Sequence, residues 1–141
     1  MDLEEVLEQL HAAANDFSQG DPEPVKKLFS HAEDVTLANP FGPPVRGWRQ
    51  VAEALDFASS RFRDGSVDDF ERIAEYVTAD LATLLEMERW RAKVGEREDL
   101  TTFELRVTTT LRPEGDDGWK IVHRHADPIT TSDASGPLRS T

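Results

Sequence analysis

The hydrophobic period of this chain changes once, near residue 64, and that change constrains the fold more than any other feature. Before it, apolar residues recur at helical spacing; after it, they recur every second residue in four long runs. Leu3, Val6, Leu7, Leu10, Ala14 and Phe17 form one face of a first helix, with Glu4, Glu5, Glu8 and Gln9 opposite, and Gly20 is placed to stop it. Asp21 followed by Pro22 reads as an N-cap with proline at the first helical position, opening a short second helix through Val25, Leu28 and Phe29. Val51, Ala54, Leu55, Ala58 and Phe62 mark a third helix, closed by Asp64, Gly65 and Ser66. Between the second and third helices, residues 34–38 alternate as a short strand that ends in the Pro- and Gly-rich loop 40–47. Residues 67–77, 81–94, 100–112 and 118–127 are rich in Val, Ile, Thr and aromatics and are separated by turn residues, which predicts an antiparallel meander. Helices first and strands after imply an α+β fold, in which three N-terminal helices cover one face of a curved sheet and leave a cone-shaped cavity.

Composition narrows the function classes. A chain of 141 residues suits one domain, expected here over 1–130, with a small polar tail over 131–141. The absence of cysteine removes disulfides, thiolate nucleophiles and Cys-ligated metals, and the acidic N-terminus is unlike a secretory signal, so the cytoplasm is the expected compartment. With 28 acidic against 16 basic residues, a net charge of −12 repels phosphate backbones and anionic lipid, so neither nucleic acid nor a membrane is an expected partner.

Several segments together resemble the nuclear transport factor 2-like superfamily, and within it the SnoaL-like and ketosteroid-isomerase-like proteins. They are the opening helix with Gly20-Asp21, the run Val35-Thr36-Leu37-Ala38-Asn39-Pro40, and Val45-Arg46-Gly47-Trp48 leading into a helix. Arg106 through Arg112 followed by Gly118-Trp119 through His125 is similar to the last two strands of that superfamily. This ending is especially close to the association domain of calcium/calmodulin-dependent kinase, where a Gly-Trp strand also ends in His-x-His. The resemblance implies a pocketed cone, a small-molecule ligand, and a homodimer formed through the sheet. It implies no cofactor. The activity would be that of an isomerase, cyclase, dehydratase or hydrolase using general acid/base chemistry, or else of a non-catalytic ligand-binding or oligomerisation module. The tyrosine of the steroid isomerases has no counterpart that the sequence identifies, since the only tyrosine is Tyr76.

Strict alternation along the last strand would place Trp119, Ile121, His123, His125 and Asp127 on one face, pointing inward, with Lys120, Val122, Arg124 and Ala126 opposite. His123 or His125 could then move a proton, with Asp127 orienting it. The alternative is that one histidine makes a structural hydrogen bond and the other sits at the rim. A metal held by the His-x-His pair would need Glu86 or Glu88 to complete it, and no metal is expected. Arg106 and Thr108 face either water or the cavity, where Arg106 could stabilise negative charge. Glu86 and Glu88 share a face with Trp90 and either pair with arginines or serve as a buried base. Asn39, Phe41 and Trp48 lie by the loop expected at the cavity mouth, as ligand contacts or as core packing. Trp119 completes the candidate wall.

Overall fold

A computed structural model describes residues 1–129; the tail expected at 131–141 lies outside the described residues. Its elements are α1 (Leu3–Ser18), α2 (Glu23–Leu28), β1 (Thr36–Ala38), β2 (Val45–Arg46), α3 (Trp48–Ser60), β3 (Phe62–Val77), β4 (Ala82–Val94), β5 (Thr101–Pro113), a 3-10 turn (Gly115–Asp117) and β6 (Trp119–Pro128). The six strands form one sheet in the order β2-β1-β6-β5-β4-β3. All neighbours are antiparallel except β1 and β6, which run parallel. This is the α+β cone that the sequence implied. Its three helices pack on the inner face of a mixed, curved sheet.

The helices form where their apolar stripes can be buried and their ends satisfied. Asp2, which the sequence reading did not use, caps α1 by accepting from the Glu5 amide at 2.9 Å. Val6, Leu7, Leu10 and Ala13 on α1 are buried with Phe29, Val35, Val51, Leu84 and Ile121 around them, while Ala14 joins Phe62, Val67 and Trp90 in a second cluster. Asp21 accepts from the Glu23 amide at 3.1 Å, but the N-cap of α2 is Pro22, one residue later than the sequence predicts, and it makes no side-chain capping bond.

The largest difference from expectation is β3, which starts at Phe62 and runs through the predicted turn at Asp64 and Gly65. Those two residues form a bulge, because Arg63 pairs with Lys93 and the next pair is Ser66 with Arg91. Asp64 has φ 53°, and a Cβ on Gly65 would lie 2.6 Å from the Ser18 carbonyl oxygen and 2.8 Å from Ala92 Cβ. The end of α1 therefore sits on this bulge. It also supplies partners, since Asn15 Oδ1 accepts from the Val67 amide at 2.8 Å and Gln19 Nε2 donates to the Gly65 carbonyl at 3.3 Å. Further register shifts at Asp68 and Ile73 bend the strand around the helices.

Candidate functional site

One more bulge decides which residues face the cavity. On β6, Ile121 pairs with Leu111 and His123 with Thr110, so Val122 is an extra residue with no partner on β5. Side chains alternate on either side of it, but the alternation is inverted. Trp119 and Ile121 point inward, as expected; beyond Val122 the inward residues are Arg124, Ala126 and Pro128, paired with Thr109, Val107 and Leu105. His123, His125 and Asp127 consequently lie on the outer face of the sheet. The expectation that they share a wall with Trp119 is corrected by this one residue.

Their outer-face contacts are structural. His123 Nδ1 lies 2.7 Å from Thr36 Oγ1 across the parallel β1–β6 pair. Burial, with a smaller contribution from His125, holds the His123 imidazole below its ordinary pKa, which favours the neutral ring. His125 is exposed. Asp127 accepts two hydrogen bonds from Arg106 on the neighbouring strand, at 3.1 and 2.7 Å. Arg106, Thr108, His123, His125 and Asp127 are thus all removed from the cavity by the thickness of the sheet.

The cavity itself is about 340 Å³, between the helices and the inner face. Leu10, Val25, Leu37 and Leu55 line its inner part. Phe62, Trp90 and Phe103 line its outer part, with Asn39, Pro40, Phe41 and Arg97 near the mouth. Phe62 and Trp90 rings are 5.2 Å apart and Trp90 and Phe103 rings 5.8 Å, a cluster whose faces and edges fix the shape of that half. Asn39 Oδ1 accepts from the Phe41 amide at 3.0 Å, which holds the mouth loop against the aromatics. Two sequence candidates, Asn39 and Phe41, are therefore at the cavity. Trp48 and Trp119 are not: Trp48 stacks on His31 at 3.9 Å, and both pack against the main core.

The polar wall is built by Arg124 and Glu88. The guanidinium donates to Glu88 Oε1 at 3.1 Å and Oε2 at 3.4 Å, and Trp90 Nε1 donates to Oε1 at 2.9 Å. Both side chains are withdrawn from water, 14% and 2% exposed, so the pair is held in a weakly screening environment. Arg124 also lines the cavity, while Glu88 stands behind it. Near the mouth, Thr101 contributes a hydroxyl that is buried and lacks any hydrogen-bond partner among the described residues. Glu86, also inward on β4, belongs to a separate cluster: His11 Nε2 lies 3.1 Å from Oε1 and Arg72 Nε 3.5 Å from Oε2. Burial alone would raise the Glu86 pKa, but His11 and then Arg72 outweigh it and hold the carboxyl below its ordinary value. Both glutamates lie on the opposite side of the sheet from the His-x-His pair, so they cannot share an ion with it.

The model of the SnoaL-like domain matches residues 3–130. The chain belongs to the SnoaL-like family. No curated protein matches it by sequence. Solved structures do match this SnoaL-like chain. A nuclear transport factor 2-like superfamily protein from Salmonella enterica serovar Typhimurium is 20% identical, with a TM-score of 0.76 and 94% and 92% of the two chains covered. A ketosteroid isomerase-like protein from Erwinia carotovora atroseptica is 17% identical, with a TM-score of 0.74 over 92% and 95%. A proposed dehydratase of the same superfamily from Streptomyces avermitilis is 19% identical, with a TM-score of 0.71 over 92% and 95%. At these identities the likeness establishes the fold and leaves the ligand to be argued from the site.

Arg124 and Thr101 were the residues that sequence reading missed as site residues. Unbroken alternation puts Arg124 on the outer face, and the bulge at Val122 turns it inward. The adjacent apolar pair Ile121-Val122 was the available signal, because two consecutive inward-type residues in a half-buried strand mark a break in parity.

Proposed function

We propose that this SnoaL-like domain binds a small, largely apolar molecule carrying an uncharged oxygen, with Arg124 as its hydrogen-bond donor. The observation that carries the proposal is an apolar cavity whose one deep cation is already neutralised by Glu88. A carboxylate ligand would have to compete with Glu88 for Arg124 and would bring a second negative charge into the same weakly screening pocket. A ketone or alcohol needs only one of the guanidinium N–H groups that Glu88 does not use. Calorimetric titration with 2-octanone and with octanoate tests this, since the two share a chain length and differ in charge. The ketone should bind at least tenfold tighter, and preferential binding of octanoate would overturn the proposal.

A second reading, catalysis at the same pair, is favoured by the Glu88 carboxylate, which lies 3.1 Å from the guanidinium that lines the cavity. Neighbours named as ketosteroid isomerase-like and as a proposed dehydratase add support from fold analogy. Glu88 would take a proton next to a carbonyl held by Arg124, and Arg124 would carry the developing negative charge. Exchange of the α-protons of 2-octanone in deuterated water, abolished in Glu88→Gln, would support this reading. Equal exchange in the two proteins would dismiss it.

We further infer that two copies associate through the outer face. Two adjacent rows, Tyr76-Thr83-Thr110-His123-Thr36 and Ala74-Leu85-Thr108-His125-Ala38, contain no carboxylate, lysine or arginine from β3 across to β1, and the first meets Arg46 only at the β2 edge. Next to them, Arg106 with Asp127, and Arg89 with Asp69 and Glu104, present both signs of charge. A copy turned about a two-fold axis can meet each sign with its opposite, which answers the repulsion expected from a charge of −12.

A further inference from the structure

The cavity's second polar feature names its ligand more closely. Thr101 Oγ1 is the only buried side-chain polar atom without a partner among the described residues, and Thr101 lines the cavity. Buried hydroxyls are ordinarily hydrogen-bonded, so an orphan facing a cavity marks a place where a bound molecule supplies the partner. Its neighbours cannot do so: Thr101 stands opposite Ala92, and Phe103 and Val94 are the adjacent lining residues.

Thr101 and Arg124 are not two sides of one polar spot. Arg124 reaches Glu88, which pairs with Leu105, and Thr101 lies four residues from Leu105 along the same strand. At ~3.4 Å per residue the backbone positions of Thr101 and Leu105 are about 14 Å apart, which leaves about 10 Å between ligand oxygens once the side chains' reach is deducted. The wall between them is Phe103, Trp90 and Leu105, whose one side-chain polar atom, Trp90 Nε1, already donates to Glu88.

Resting on the binding reading above, we propose that the ligand carries two uncharged oxygen functions at opposite ends of an apolar body about eight carbons long. Arg124 donates to the deeper oxygen. Thr101 exchanges a hydrogen bond with the outer one, near the mouth. An uncharged outer oxygen matches the neutral Thr101 hydroxyl, and Arg97, the cation at the mouth, has Asp99 beside it at 2.9 and 3.2 Å. Thr101 is thereby a specificity-determining residue: it selects the doubly oxygenated molecule over its singly oxygenated analogue.

Titrating octane-1,8-diol and 1-octanol into the protein and into Thr101→Val, which keeps the shape of the side chain, separates the possibilities. The expected result is that the substitution weakens the diol about tenfold, the worth of one neutral hydrogen bond near the upper end of its usual range, and leaves 1-octanol within about twofold. Equal effects on the two ligands, or none on either, would overturn the second anchor while leaving the binding reading intact. If neither ligand binds the unsubstituted protein, both proposals fall together. Thermal unfolding of Thr101→Val should match or exceed that of the unsubstituted protein, since an unpartnered hydroxyl is removed.

Discussion

Replacing Arg124 with methionine probes the polar wall most sharply, because it strands Glu88. At 3.1 Å and an effective dielectric of ~20, the two charges attract by about 5 kcal/mol. That attraction is set against the cost of burying both groups, so it is not the net worth of the pair. Removing one partner nevertheless leaves a carboxylate that is 2% exposed with only Trp90 Nε1 donating to it, and such losses run to about 3–5 kcal/mol. With an m value of ~2 kcal/mol per molar urea, the unfolding midpoint should fall by about 2 M. Adding Glu88→Gln should recover most of the lost stability, because the amide oxygen can still accept from Trp90. A single-variant loss under about 1 kcal/mol, or no recovery in the double variant, would refute the account of a buried, coupled pair.

Other parts of the structure give separate expectations. Gly65→Ala should cost about 1–3 kcal/mol by thermal or urea unfolding, since its Cβ would meet the end of α1 and Ala92 at well below contact distance. Glu86 has a depressed pKa in the folded state, so its contribution is whole above its ordinary value of 4.5 and is lost as pH falls through the depressed one. Urea unfolding of Glu86→Gln should accordingly fall short of the parent at pH 6, and the gap should close towards pH 3. Leu85→Arg, in the charge-free rows of the outer face, should convert a dimer to a monomer in sedimentation equilibrium; a parent protein that is already monomeric at about 100 µM would discount association through that face.

The fold was legible because it depends on periods. Leu3 to Phe17 could only be an amphipathic helix, and the alternation in residues 101–112 survives in the structure without a break. The site was less legible because it depends on parity, which a single inserted residue reverses. Val122 is an ordinary strand residue by propensity, and only its apolar neighbour Ile121 hints that it lacks a partner on β5. The same reasoning explains β3. Asp64 and Gly65 have turn chemistry, and the structure uses it inside a strand, where Asn15 and Gln19 of α1 satisfy the interrupted ladder. Those long-range partners are invisible to local reading. On β4, by contrast, the reading that Glu86 and Glu88 share a face with Trp90 and pair with arginines agrees with what is seen, since no bulge on that strand intervenes.

The claim on which the account rests is that the ligand-facing side of β6 is that of Arg124, not that of His123 and His125. Nitrogen-detected NMR of the arginine and histidine side chains during titration with 2-octanone reports both sides of the sheet in one experiment. The account predicts a saturable shift of the Arg124 Nε–H signal, with the His123 and His125 imidazole nitrogens unmoved. Saturable shifts at His123 and His125 with Arg124 unmoved would contradict it.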